Sequence, residues 1–165
     1  MHAYRQQGLT LLELMVTIAI AGILLTIGVP SFQAIVTSNR ISANTNNFIT
    51  AINLARSEAI KRGTDISVCK SADGVSCTGD WNQGWIVYLT SDPPEVIIRV
   101  FDGLSGDDTL TSSVNEELKF NSMGALASPS DEEVTFNFSL CDSSNERRQI
   151  VINPVGRPNS GKVSC

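Results

Sequence analysis

Four groups of residues in this sequence have types and spacings that could do chemistry. Glu13 is a carboxylate inside a long apolar run; Cys69, Cys77, Cys141 and Cys165 are four thiols; Arg147, Arg148, Arg157 and Lys162 form a C-terminal set of cations; and carboxylates cluster at 102–108, 116–117 and 131–133. The single histidine, His2, stands at the extreme N-terminus. That position leaves nothing on which to build a Ser-His-Asp triad, a Cys-His pair or a multi-histidine metal site. The segment from Asp102 to Asp108 departs from the alternating ligand pattern of a calcium loop and reads as a solvated loop. Glu116-Glu117 and Asp131-Glu132-Glu133 are neighbours along the chain, with no sign that they converge across a cleft as glycoside hydrolysis requires. Trp81 and Trp85, on either side of Gly84, read as core or strand-edge aromatics rather than a sugar platform. The expectation is a protein that is not an enzyme and needs no metal or cofactor.

Four cysteines allow three pairings. We expect Cys69–Cys77, which closes a short loop, and Cys141–Cys165, which ties the last residue to a strand and adds about 3 kcal/mol in the chain-entropy description. Four thiolates could also hold zinc, but the spacing lacks a C-x2-C knuckle.

Positioning these groups requires elements of different kinds. The chain has 165 residues, 42% hydrophobic and 18% charged, with 12 Lys+Arg against 17 Asp+Glu and a net charge of −5. A folded domain plus an appendage fits that composition, and disorder does not. Leu9 to Val29 is a run of 21 residues whose only charge is Glu13, with Pro30 following. A helix of that length covers roughly 30 Å, about one hydrocarbon core. Arg5 is the only charged residue ahead of it, which places the N-terminus on the cytoplasmic side and the rest across the membrane. A removed secretory signal is the plainer reading, since Ala19-Ile20-Ala21 matches a cleavage pattern, yet the apolar run continues well past it. An ordinary single-pass anchor leaves Glu13 unexplained, because a carboxylate in hydrocarbon costs roughly 2.5–3.5 kcal/mol on insertion scales.

Gly8 followed by Leu9-Thr10-Leu11-Leu12-Glu13-Leu14, behind a short basic leader, resembles a type IV prepilin signal. The resemblance implies cleavage between Gly8 and Leu9 by a prepilin peptidase, N-methylation of Leu9, and Glu13 as the fifth mature residue. Leu9 stands where the pattern usually has Phe. Buried in a bundle of such helices, Glu13 can pair with the N-terminal amine of a neighbour, each charge offsetting the desolvation of the other.

Beyond Gly28 and Pro30, where a kink or weakening is expected, Ile41, Thr45, Phe48, Ile52, Ala55 and Ala59 fall on one helical face. Glu58 and Arg62 form an i,i+4 pair and Gly63 supplies a stop. One helix from about Leu9 to Arg62 follows. The period then switches to two, with candidate strands at 65–70, 85–90, 96–101, 117–121, 134–140 and 149–153, and exposed loops at 103–113 and 127–133. The fold class is α+β: a long N-terminal helix packed on an antiparallel β-sheet or sandwich head. The divisions are 1–8 leader, 9–30 membrane or filament-core helix, 31–63 amphipathic half-helix and 64–165 periplasmic or extracellular head, an oxidising setting in which disulfides persist.

Ala55-Arg56-Ser57-Glu58-Ala59-Ile60-Lys61-Arg62-Gly63, then Val68-Cys69, Trp81, Gly84-Trp85-Ile86-Val87 and Gly156-Arg157 resemble the GspH/FimT family of minor pilins and pseudopilins over nearly the whole chain. That resemblance implies an inner-membrane protein assembled into a type IV pilus or, alternatively, a type II secretion pseudopilus, with other pilins or pseudopilins as partners. FimT-type members carry a C-terminal G-R-x-R motif linked to DNA capture in natural transformation. Gly156-Arg157-Pro158-Asn159 keeps its first half and has Asn in the last place. Residues 73–133 hold 12 acidic and two basic side chains, whereas the cations Arg147, Arg148, Arg157 and Lys162 have no acidic residue among them in 147–165. Such a cluster suits sequence-independent contact with the phosphates of double-stranded DNA, three or four contacts giving a log–log salt slope of roughly −3 to −4. Lys162, expected in a loop, would stand in for the missing arginine.

Overall fold

A computed structural model describes residues 10–90, 96–106, 108–114, 117–129, 133–140 and 146–164. Expectations that fall on Gly8, Leu9, Cys141 and Cys165 lie outside the described residues. The chain divides into two compact units, Met1–Thr37 and Ser38–Cys165.

Helix α1 covers Leu11–Arg62. Thr10 starts it: its hydroxyl accepts the Glu13 N–H at 3.2 Å and its carbonyl accepts the Leu14 N–H at 3.2 Å, satisfying donors that have no partner within the helix. Glu13 lies in the first turn, where a carboxylate complements the helix dipole. The Thr17 and Thr26 hydroxyls donate back to the Leu14 and Ile23 carbonyls at 2.8 and 2.7 Å, so neither polar group is left unpaired in this apolar stretch. Pro30 lies within the helix and removes the N–H that the Thr26 carbonyl would otherwise accept. The helix stops where Gly63 adopts φ +65° and Gly63 and Thr64 both donate to the Ala59 carbonyl, at 2.9 and 3.3 Å.

Among the described residues of the unit from Ser38 onward, nine strands form two antiparallel sheets. The first is ordered β3 (Val96–Asp102), β2 (Gly84–Leu89), β1 (Ile66–Lys70), β5 (Leu118–Phe120) and β6 (Leu126–Ser128); the second is β4 (Thr109–Ser112), β7 (Val134–Leu140), β8 (Glu146–Ile152) and β9 (Pro158–Ser164). Ile41, Thr45, Phe48, Ala51, Ile52, Ala55 and Ala59 are the buried face of the helix, matching the expected stripe with Ala51 added. Phe48 joins helix to both sheets. Its ring lies 5.1 Å from Trp85 on β2, 4.5 and 5.8 Å from Phe136 and Phe138 on β7, and 5.6 Å from Trp81 in a short 3-10 turn. Trp81 and Trp85 are thus core aromatics, as expected.

A second tie between helix and loops is polar. Arg40 Nε and Nη2 donate to the two oxygens of Asp108 at 3.0 and 2.7 Å, and Asn44 Nδ2 donates at 2.9 Å. Only 1% of the Asp108 side chain is exposed. This corrects the reading of 102–108 as wholly solvated: its last carboxylate is buried against the helix because a guanidinium fork satisfies both oxygens. Three strands also replace expected loops. β4 lies within 103–113, β6 overlaps the start of 127–133, and β9 occupies the stretch in which Lys162 was expected in a loop. Ladder hydrogen bonds impose strand geometry on these segments where side-chain pattern does not.

Candidate functional site

Three places in the molecule carry the residues singled out above. The first is the start of α1. Leu24 and Ile27 are 65% and 69% exposed, and the segment around them is long and apolar enough to cross a membrane. A helix apolar on every side belongs in lipid or in a bundle of similar helices.

The second place is the end of the head where α1 stops. Arg56 Nε donates to the Gly124 carbonyl at 3.0 Å, linking the helix to the turn between β5 and β6. Leu126 N–H donates to the Pro154 carbonyl at 2.9 Å, linking that turn to the one between β8 and β9. Gly156, at φ +78°, closes the cluster: a β-carbon there would strike the Gly124 carbonyl and lie 3.1 Å from Arg56 Nε. Only glycine combines this conformation with so close an approach. Two stretches 100 residues apart, ARSEAIKRG and Gly156-Arg157, therefore meet in space. Asn153 builds the turn that presents Arg157, accepting the Arg157 N–H on Oδ1 at 2.8 Å and the Gly156 N–H on its carbonyl at 2.7 Å.

The structure divides the four C-terminal cations. Arg148 pairs across the ladder with Lys162, and Arg147 with Val163. Alternation therefore sets Arg148 and Lys162 on one face of the sheet, the face that buries Ile150 and Ile152, and Arg147 on the other. Arg147 and Arg148 are half-buried, while Lys162 and Arg157 are exposed. Arg157 lies in the turn, five residues before Lys162 along an edge strand.

The third place is the Cys69–Cys77 loop, closed by a disulfide with Cα atoms 5.5 Å apart. Two thiols so joined cannot serve as thiolate ligands, which removes the four-thiolate zinc alternative. Inside the loop, Asp73 accepts the Ser76 hydroxyl at 2.6 Å, the Ser76 and Val75 N–H groups at 2.8 and 2.9 Å, and the Ser71 hydroxyl at 3.1 Å. These bonds, the Ser76 hydroxyl first, hold its carboxyl well below the usual carboxylate range. The loop lies over the outer face of the first sheet, where Cys69, Ile86 and Tyr88 form a small buried cluster of their own, and the Tyr88 hydroxyl donates to Glu117. Sequence reasoning missed the Arg56–Gly124–Gly156 contact and the Arg40–Asp108 pair. Both join residues 68 apart or more, and no local pattern signals them.

An apolar N-terminal helix that becomes amphipathic and leads into an antiparallel head defines a pilin-like subunit. The family described as Type II transport protein GspH matches residues 44–156, and the prokaryotic N-terminal methylation motif matches residues 4–29. The chain belongs to the GspH family, the group of type IV minor pilins and type II secretion pseudopilins. Its fold is similar to the Pseudomonas aeruginosa type IV minor pilin FimU, at 22% identity and TM-score 0.61 over 76% of this chain and 90% of that one. It is also similar to EpsH, a minor pseudopilin of the Vibrio cholerae type II secretion system, at 14% identity and TM-score 0.54 over 76% of this chain and 97% of that one. No curated protein matches by sequence.

Proposed function

We propose that this chain is a FimT-like minor pilin, made as a prepilin, cut between Gly8 and Leu9, methylated on Leu9 and assembled from the inner membrane into a type IV pilus. The observation that carries this reading is the uncovered apolar first half of α1, whose single charge is Glu13. A segment of that kind must be covered by lipid before assembly and by neighbouring helices after it, and Glu13 then pairs with a neighbour's N-terminal amine. The head lies on the periplasmic side in this reading, and its disulfide loop suits that oxidising compartment. The second reading, a GspH-like pseudopilin of a type II secretion system, is favoured by the description of the matching family. Deletion of the gene separates the two. Loss of surface pili with protein export intact supports the pilus reading, and loss of export with pili intact supports the secretion reading.

Capture of double-stranded DNA is a further role for the same subunit. It rests on Arg157 and Lys162, the exposed pair at the β8–β9 edge, more than on Arg147 and Arg148, which the sheet places on opposite faces. The detergent-solubilised chain is expected to shift duplex DNA at low salt irrespective of sequence, and Arg157→Ala with Lys162→Ala to weaken that shift. No shift at low salt removes the DNA role and leaves the assembly role standing.

A further inference from the structure

We propose that β3 is a docking edge that takes an extended segment of a different subunit of the same filament as an added strand of the first sheet; this rests on the reading of the chain as a filament subunit. Among the described residues the two sheets end in four edge strands. β4 and β6 have only four and three residues, and β9 carries Pro158, Gly161 and Lys162, features that discourage pairing with another chain. β3 has none of these protections. It runs seven residues, apolar at Val96, Ile97, Ile98, Val100 and Phe101, and Val96 and Val100 are both 50% exposed. The ladder fixes which of its backbone groups are free. The Gly84 carbonyl accepts the Ser71 N–H at 3.0 Å, so Gly84 faces β1 and, by the alternation of an antiparallel strand, Trp85 faces β3 and Ile86 faces β1. Trp85 pairs with Phe101, Ile86 with Val100 and Gly84 with Asp102. The N–H and C=O of Phe101 therefore point to β2, and those of Val100 and Asp102 point away from it. Among the described residues no backbone hydrogen bond reaches this outward set. The bulge between Val87 and Tyr88 interrupts the ladder beside Ile98 and confines a regular join to Arg99–Asp102.

The two faces of this edge differ, and the difference sets the chemistry of the strand that fits. On the outer face Val100 stands beside Ile86. The disulfide loop extends that apolar surface, since a β-carbon at Gly74 would lie 3.1 Å from Val100 Cγ1 and the neighbouring Val75 is 66% exposed. On the inner face, beside Trp85 and Val87, are Phe101 and Arg99. There a hollow of about 250 Å³ opens between β3 and the helix, lined by Asn47 and Thr50 of α1 and by residues 99–103. An added strand sends its side chains alternately over Val75 and Val100 and into this hollow. The Arg99 guanidinium lies over the Phe101 ring at 5.1 Å, and no carboxylate among the described residues forms an ion pair with it. Asp102 alternates with Phe101 and so lies on the outer face, Asp73 is held within its own loop, and Asp80 stands ahead of the 3-10 turn. Lys70, in register with Trp85, is two strands in from the edge. The helix offers the hollow only neutral groups, and Arg40 is paired with Asp108. The segment that fits therefore turns a carboxylate inward to Arg99 and an apolar side chain outward to Val75 and Val100, with main-chain hydrogen bonds to Val100 and Asp102 between them. A second copy of β3 fits poorly, because the join would set two Arg99 side chains on one face with no carboxylate between them. Duplex DNA has no peptide backbone to add to a sheet.

The test uses the full chain, in its own cells, with a photo-reactive phenylalanine derivative in place of Val75. The expected result is a cross-link to a different subunit of the filament, mapped by mass spectrometry to an extended segment in which a carboxylate alternates with apolar residues. Val100→Pro removes the outward N–H without touching the ladder to β2 and is expected to abolish the cross-link, whereas Val100→Thr keeps that N–H and is expected to retain it. Arg99→Glu is expected to lower the yield about tenfold, and Lys in place of the partner's carboxylate to restore it. The intact Cys69–Cys77 bond and an unchanged circular dichroism spectrum verify that each variant folds. Cross-links only to a second copy, to a helix or to DNA overturn the proposal, as does a yield that Val100→Pro leaves unchanged. Recovery of the chain in purified filaments without a cross-link at Val75 overturns the docking edge alone. A leader kept in the presence of the peptidase overturns the subunit reading by itself, whatever the cross-links show, so the two failures are told apart.

Discussion

The Ser76 hydroxyl is the foremost of the donors that keep Asp73 ionised toward lower pH. The carboxyl of Asp73 lies below its ordinary range because four donors bind its ionised form, the Ser76 hydroxyl foremost. A depressed pKa in the folded state means that the stabilisation is present in full above the unfolded value of about 3.9 and is lost as pH falls below it. Ser76→Ala removes one donor and is expected to raise the Asp73 titration midpoint in an NMR titration of its carboxyl carbon. An unchanged midpoint would mean that the backbone N–H groups of Val75 and Ser76 suffice. At this scale the sequence was partly legible. The Cys69–Cys77 pair was one of three possible pairings and the expected one for its short loop, whereas the Asp108 pairing with Arg40 depends on a fold that brings position 108 onto the helix.

Among elements, the second half of α1 and strand β7 follow from periodicity because each has one face to bury. Phe136 and Phe138 alternate with Thr135 and Asn137, and the structure buries the first pair. β9 has no such signal, since Asn159, Ser160, Gly161 and Lys162 are all exposed on an edge strand and the ladder to β8 alone makes it a strand. β4 and β6 are too short, at four and three residues, for a period to show. The helix depends on one ring to hold both sheets. Phe48→Ala is expected to destabilise the head by about 3–5 kcal/mol, the usual cost of a large aromatic cavity. Urea unfolding followed by the fluorescence of Trp81 and Trp85, which flank that ring, measures it. A loss under about 1 kcal/mol would show that the sheets pack without the helix.

For the whole molecule, the net charge of −5 averages over parts of opposite sign. If the leader is removed, Arg5 and His2 go with it, leaving 11 basic and 17 acidic side chains and no histidine. Glu13 is the one charge in the apolar run, so Glu13→Gln is expected to leave membrane insertion intact and to reduce recovery of the chain in sheared filaments. Equal recovery of both forms would contradict the pairing of Glu13 with a neighbour's amine. The most direct measurement is the mass of the N-terminal peptide, taken from cells with and without their prepilin peptidase. The expected result is a peptide that begins at methylated Leu9 when the peptidase is present and retains residues 1–8 when it is absent. The same N-terminus in both strains would contradict assembly as a pilin.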